Sequence, residues 1–234
     1  FYSLSQPKRK YLINSITVNR VKIYDKKEIN LMLLKLAALN GHLEACFEYA
    51  LAMQKKKILE AVPFFQKVPF KQEAKECLAI FNQESSLLKR KQIETNSCQL
   101  SEKSIELHRL FGKSFLEEKN EQKGEYHLLT AAYAGDKSAQ RNLGFFYLKK
   151  CATEGLVKAA FWFKCSLLQH NCVHCKIGID RIFDSKNEYP AEILTNVTEV
   201  LNILDHTFSQ FAKEDFNKAI HLAGKEVEEK GLFK

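Results

Sequence analysis

The sequence predicts an all-α protein built from stacked, antiparallel pairs of short helices. Apolar residues recur three and four apart over most of the 234 residues, with only nine Gly and four Pro to break the pattern. The segment Ala37-Ala38-Leu39-Asn40-Gly41-His42-Leu43-Glu44-Ala45 recurs in pattern as Ala131-Ala132-Tyr133-Ala134-Gly135-Asp136-Lys137-Ser138-Ala139. A large residue followed by a small one returns every 29 to 36 residues, at Tyr49-Ala50, Leu78-Ala79, Phe111-Gly112, Leu143-Gly144 and Ile179-Asp180. That period is the length of one helix pair. A small residue lets two helices approach where they cross, and its large neighbour plugs into the partner helix. One pair cannot bury its apolar face alone, so the pairs stack.

Residues 1–28 stand apart as an N-terminal extension. Ile16 and Val18, then Val21 and Ile23, alternate with polar residues across Asn19-Arg20, which permits a short β-hairpin. The first residue is Phe1 rather than Met, and the expectation is a piece of a longer chain. Residues 29–185 carry the repeats. Leu31, Leu34 and Ala38, then Ala45, Tyr49 and Met53, mark two helices separated by Asn40-Gly41, a natural helix stop and turn. A polar stretch near 85–103, longer than a repeat turn, interrupts the array. Residues 186–234 resume as a helical cap. Pro190 precedes the stripe Ile193, Val197, Val200, Leu201 and Leu204, and a second stripe runs Phe216, Ala219, Ile220, Ala223, Val227 into a charged end.

Composition narrows the function classes. With 45% apolar and 27% charged residues the chain has the material for a core and lacks the signature of disorder. No run of about 18 apolar residues occurs, so no membrane-spanning helix is expected. The net charge of +8 is concentrated in the first 91 residues. Its dense parts are Lys8-Arg9-Lys10, Lys55-Lys56-Lys57 and Lys89-Arg90-Lys91, a basic patch that suits an acidic protein, anionic lipid or nucleic acid, although short lysine runs most often form a solvated surface. Aromatic residues are not interleaved with these runs, which disfavours nucleic acid. Seven cysteines, an odd number scattered through helical patterns, fit a reducing compartment, the cytoplasm, where thiols serve as small core side chains.

The pattern Ala-Ala-x-x-Gly-x-x-x-Ala-x-x-x-Leu-Gly-x-x-Tyr, from Ala131 to Tyr147 and followed by Ala159-Ala160-Phe161-Trp162-Phe163, resembles the Sel-one-like repeat branch of the tetratricopeptide superfamily. The resemblance covers roughly residues 29–185, with Asp180 a departure where a small apolar residue is expected. It implies a right-handed α-solenoid whose first helices line a concave groove. It also implies a non-catalytic adaptor or scaffold that assembles protein complexes, often in bacterial signalling, cell-envelope work or host interaction. Thirty Lys against six Arg hints at an AT-rich genome, a pointer toward intracellular bacteria and delivery into a host cell. Carried onto this sequence, the groove positions of the later units include Arg109, Lys113, Leu116, Arg141, Phe145, Leu148, Lys149 and Arg181. The expected occupant is an acidic, partly apolar protein segment, with carboxylates for the cations and apolar side chains for burial.

Signs of chemistry are few. Gly112-Lys113-Ser114 looks like the end of a phosphate-binding loop, yet the first glycine of that motif would fall at Leu107 and no strand precedes it. His170-x-Cys172-x-His174-Cys175 is the one cluster of metal-ligand types, but a structural zinc site needs four converging ligands and no second pair is spaced to supply them. The repeat alignment offers a simpler reading, with Asn171 at a turn and Cys175 at the small core position held by Ala45 and Ala139. No nucleophile motif and no His-Glu-x-x-His is present, so no metal, cofactor or catalytic residue is expected. Two rival classes stay open: an enzyme with an unfamiliar or neighbouring active site, and a basic helical protein that binds anionic lipid or RNA.

Overall fold

The computed structural model describes residues 26–83, 100–150, 153–184, 189–211 and 215–233. Among them every regular element is an α-helix, eleven in all, and helices adjacent in sequence pack on one another. The hairpin expected at residues 16–23, the polar stretch up to residue 99 and the clusters Lys8-Arg9-Lys10 and Lys89-Arg90-Lys91 lie outside the described residues. The chain divides into two compact units, residues 1–83 and 84–234.

The first unit holds α1 (Lys26–Leu39), α2 (Leu43–Gln54), α3 (Ile58–Phe65) and α4 (Gln72–Phe81). The Asn40-Gly41 stop acts as expected. Gly41 takes φ +86°, its N–H donates to Ala38 O, and the N–H of His42 donates to Ala37 O. Those two bonds satisfy carbonyls that a helix end leaves open. His42 then caps α2, its Nδ1 accepting from the Ala45 N–H at 3.4 Å. A Cβ added at Gly41 would meet nothing within 4 Å, so Gly41→Ala carries only the cost of the left-handed backbone. The expected loss is about 1–2 kcal/mol in a urea titration. The core of this unit is Ala45, Tyr49, Ala50, Ile58, Phe64, Phe65 and Cys77, with Tyr49 edge-on to Phe64 at 4.7 Å.

The second unit holds α5 (Glu102–Glu117), α6 (Glu121–Tyr133), α7 (Lys137–Lys149), α8 (Thr153–His170), α9 (Val173–Asp184), α10 (Ala191–Phe211) and α11 (Phe216–Glu229). The α6–α7 joint repeats that of the first unit. Gly135 has φ +91°, its N–H donates to Ala132 O, and Asp136 caps α7 by accepting from the Ala139 N–H at 2.7 Å. The α5–α6 joint has the same design with Lys119 at φ 62° in place of glycine and Asn120 as cap. Besides its chain neighbours α7 and α9, α8 packs on α10. The consecutive rings Phe161, Trp162 and Phe163 are all buried, and so are Phe64 and Phe65, so neither run leaves a member for an open surface.

Glycines mark the crossings. A Cβ at Gly112 would lie 2.7 Å from Leu128 Cγ and 2.9 Å from its backbone nitrogen. One at Gly144 would strike one edge of the Phe163 ring, and one at Gly178 would come within 2.6 Å of the opposite edge. The large-then-small pattern therefore marks contacts at Ala50, Gly112 and Gly144 but not at Ala79 or Asp180, both of which are exposed. In α4 the buried small residues are Ala74 and Cys77, and in α9 the crossing residue is Gly178, which precedes its large neighbour Ile179. Helices α10 and α11 bury the expected stripes, Ile193, Val197, Val200 and Leu204 in one and Ala219, Ile220, Ala223 and Val227 in the other. They complete a core that runs continuously from Tyr126 to Val227, and His221 of α11 stacks on Tyr133 at 5.1 Å.

Candidate partner-binding cleft

Gly112 and Gly144 bring their helices close to the layer behind, and the opposite side of α5 and α7 presents Lys113, Leu116 and Glu117 of the one and Phe145 and Lys149 of the other. A cleft of about 670 Å³ opens there. Lys113, Leu116 and Glu117 of α5, Lys119 of the joint, Glu121 and Leu128 of α6, and Asn142, Phe145, Phe146, Lys149 and Lys150 at the end of α7 line it. Leu116, Leu128, Phe145 and Phe146 make an apolar floor, and four lysines against two glutamates make the rim basic. Phe145 is held by an edge-to-face contact with Phe163 at 5.0 Å.

The lysines differ in what already occupies them. Lys150 sits 4.4 Å over the Phe146 ring and pairs with Glu121 at 3.2 Å and Glu125 at 3.8 Å. Lys113 meets Glu117 at 3.7 Å, with both side chains more than half exposed, a pairing worth little in water. Lys119 and Lys149 have no ion-pair partner among the described residues.

Of the eight expected groove residues, the fold brings Lys113, Leu116, Phe145 and Lys149 into this cleft. Arg109 does not line this cleft, and its guanidinium pairs with Asp136 at 3.4 Å and Glu106 at 3.7 Å. Asp136, the cap of α7, is near it only in space. Arg141 is half-buried beside the start of α9, Leu148 packs against the core, and Arg181 is exposed on α9 away from the cleft. Lys119, Glu121, Leu128, Asn142, Phe146 and Lys150 were not expected there. The joint residues Lys119 and Lys150 lie outside the helical register that assigns groove positions, and the tandem aromatics at 145 and 146 were the one hint of Phe146. Lys55, Lys56 and Lys57 are exposed at the end of α2, where Lys57 pairs with Glu60 at 2.6 Å.

Behind the cleft, α5 and α6 are joined by two buried imidazoles. His108 and His127 are 1% and 0% exposed, and their Nδ1 atoms are 3.0 Å apart. One Nδ1 donates and the other accepts, and, with burial holding both rings neutral, they are of opposite tautomer. Neither Nε2 has a hydrogen-bond partner. Burial pushes His108 down to about 4 and, aided by the nearby His108 and Lys123, holds His127 well below the usual imidazole value.

Gly112-Lys113-Ser114 lies inside α5, where the backbone N–H groups are engaged in the helix and cannot cradle a phosphate. No group of three or more metal-ligating side chains converges among the described residues. No helix among them is long and apolar enough to cross a membrane. Comparison with models of known protein families, with curated proteins and with solved structures returns no match.

Proposed function

We propose that this chain is a non-catalytic adaptor of the Sel-one-like, right-handed solenoid type, and that the α5–α7 cleft receives an acidic, partly apolar segment of a partner protein. One observation carries the reading. Residues from two helices about thirty positions apart, Lys113 and Leu116 with Phe145 and Lys149, meet in a single cleft with an apolar floor and a basic rim. The floor supplies burial at about 25 cal/mol per Å² of apolar area, and the lysines select for carboxylates and repel basic segments. Lys119 and Lys149, which have no ion-pair partner among the described residues, add positive charge at the rim for such a segment. The family resemblance and the sequence-ordered packing of helix on helix agree with this reading.

The test is selection from a displayed peptide library of unbiased composition. The wild-type chain is expected to enrich peptides that combine Asp or Glu with Phe or Leu. The Lys113→Glu, Lys149→Glu double variant should lose that enrichment by about tenfold or more, since two favourable charge contacts become repulsive. Circular dichroism should stay unchanged, because both side chains are exposed. Enrichment without acidic bias, or unaltered in the double variant, overturns the assignment.

A further inference from the structure

The joint between α8 and α9 follows the plan of the other joints, with one change of chemistry. Asn171 takes the left-handed position at φ 49°, as Gly41, Lys119 and Gly135 do elsewhere, and the next residue caps the following helix. At the other three joints that residue is His42, Asn120 or Asp136, each a good hydrogen-bond acceptor. Here it is Cys172, immediately before the twelve-residue α9. A neutral thiol accepts poorly, whereas a thiolate at a helix start is stabilised by the open N–H groups and the positive end of the helix dipole.

A second thiol stands three residues on, in the first turn of α9. The carbonyl of Cys172 accepts from the N–H of Cys175 at 3.0 Å and from that of Lys176 at 3.1 Å, which tightens the first turn of α9. Cys175, one turn further on, is fully buried, and Cys172 is partly exposed. Cys175 does occupy the core position of Ala45 and Ala139, as the repeat pattern implies, but Cys172 lies outside that pattern and is the half that solvent reaches. The two thiols are driven in opposite directions. Burial works to raise Cys172, but the Cys175 thiol, the N–H groups of Cys175 and His174 and the charge of Arg141 outweigh it and hold Cys172 below its ordinary value. Burial, with the neighbouring Cys172, pushes Cys175 up to about 12 despite a hydrogen bond with Ser166.

We propose that Cys172 and Cys175 form a thiol–disulfide exchange site, in which Cys172 attacks a low-molecular-weight disulfide and Cys175 resolves the adduct. The Cys172 thiolate attacks one sulfur of RS–SR, forming the mixed disulfide Cys172–S–SR and releasing RS⁻. Cys175 gives up its proton, which that thiolate takes to become RSH, and attacks Cys172 Sγ. The Cys172–Cys175 disulfide forms and the second RS⁻ leaves, to be protonated by solvent. Two thiols of the chain are oxidised and one external disulfide is reduced to two thiols. An i, i+3 pair in the first turn of a helix meets the spacing a disulfide needs, about 4.4–6.8 Å between Cα atoms.

Oxidised and reduced glutathione are the probe. The full chain is equilibrated at graded ratios of the two, quenched with an alkylating agent and mapped by peptide mass spectrometry. The wild type should convert to a Cys172–Cys175 peptide that has lost two hydrogens and takes up no alkyl group. Cys175→Ser should accumulate one glutathionyl group on Cys172, and Cys172→Ser should leave Cys175 unmodified. A wild type that stays a dithiol at the most oxidising ratio overturns the proposal, whatever the variants do. So does glutathione that remains on Cys172 in the wild type, or a disulfide that pairs either residue with another cysteine.

Discussion

Replacing Phe163 by Ala is expected to cost the protein about 3–5 kcal/mol, the range for removing a fully enclosed aromatic ring. The ring is 0% exposed and is wedged between two glycines, Gly144 of α7 against one edge and Gly178 of α9 against the other. Phe145 closes a further side. Glycine has no side chain that could swing into the space left behind, so the cavity stays largely open and its cost is not recovered by relaxation. Phe163→Leu, which keeps most of the volume, should lose less. Denaturant midpoints by circular dichroism distinguish these outcomes, and a loss below about 1 kcal/mol for Phe163→Ala would refute the wedge.

Acidification should destabilise the second unit through His108 and His127. Both imidazoles are held neutral in the folded state, His108 with a value of about 4 against 6.5 for an ordinary imidazole. Below pH 6.5 the unfolded chain binds protons that the folded chain refuses. The stabilisation is therefore complete above pH 6.5 and is lost as pH falls toward the folded-state values. Between pH 7 and pH 5 the loss from His108 alone is about 2 kcal/mol, and His127 adds to it in the same direction. A second proton on the pair also sets two N–H groups against each other across a 3.0 Å gap. The double variant His108→Phe, His127→Phe removes both the titration and the unpaired Nε2 atoms, and its stability should vary much less over the same interval. Equal pH dependence in variant and wild type would assign the acid sensitivity to other groups.

Much of this architecture could be read from residue types alone, for reasons that are physical and local. The joints at Gly41 and Gly135 were legible because glycine is the residue that takes a positive φ without strain. The equivalent joint at Lys119 was not, because a lysine there carries no such signal and only its neighbour Asn120, a natural cap, marks the place. Lys113, Leu116, Phe145 and Lys149 could be placed because each stands a fixed number of residues from a crossing glycine on an unbroken helix. The pairing of Arg109 with Asp136 was not legible, because the two stand far apart along the chain. The crossing at α9 was misplaced because Gly178 precedes its bulky neighbour, and a search for large-then-small steps over it to Asp180. The His108–His127 contact joins two helices through residues nineteen apart, a spacing that belongs to no motif.

Phe163 also gives the second unit a mechanical property. A close-packed interior is barely compressible, and this ring is flanked by the backbones of two helices with no side chain between to absorb a shift. It therefore acts as a spacer that sets the gauge between α7 and α9. Any roll of α9 must displace the spacer, and through its edge contact the spacer bears on Phe145 in the cleft floor. The seat of Phe145 in the cleft floor is thus fixed from behind, by a side chain that does not itself line the cleft.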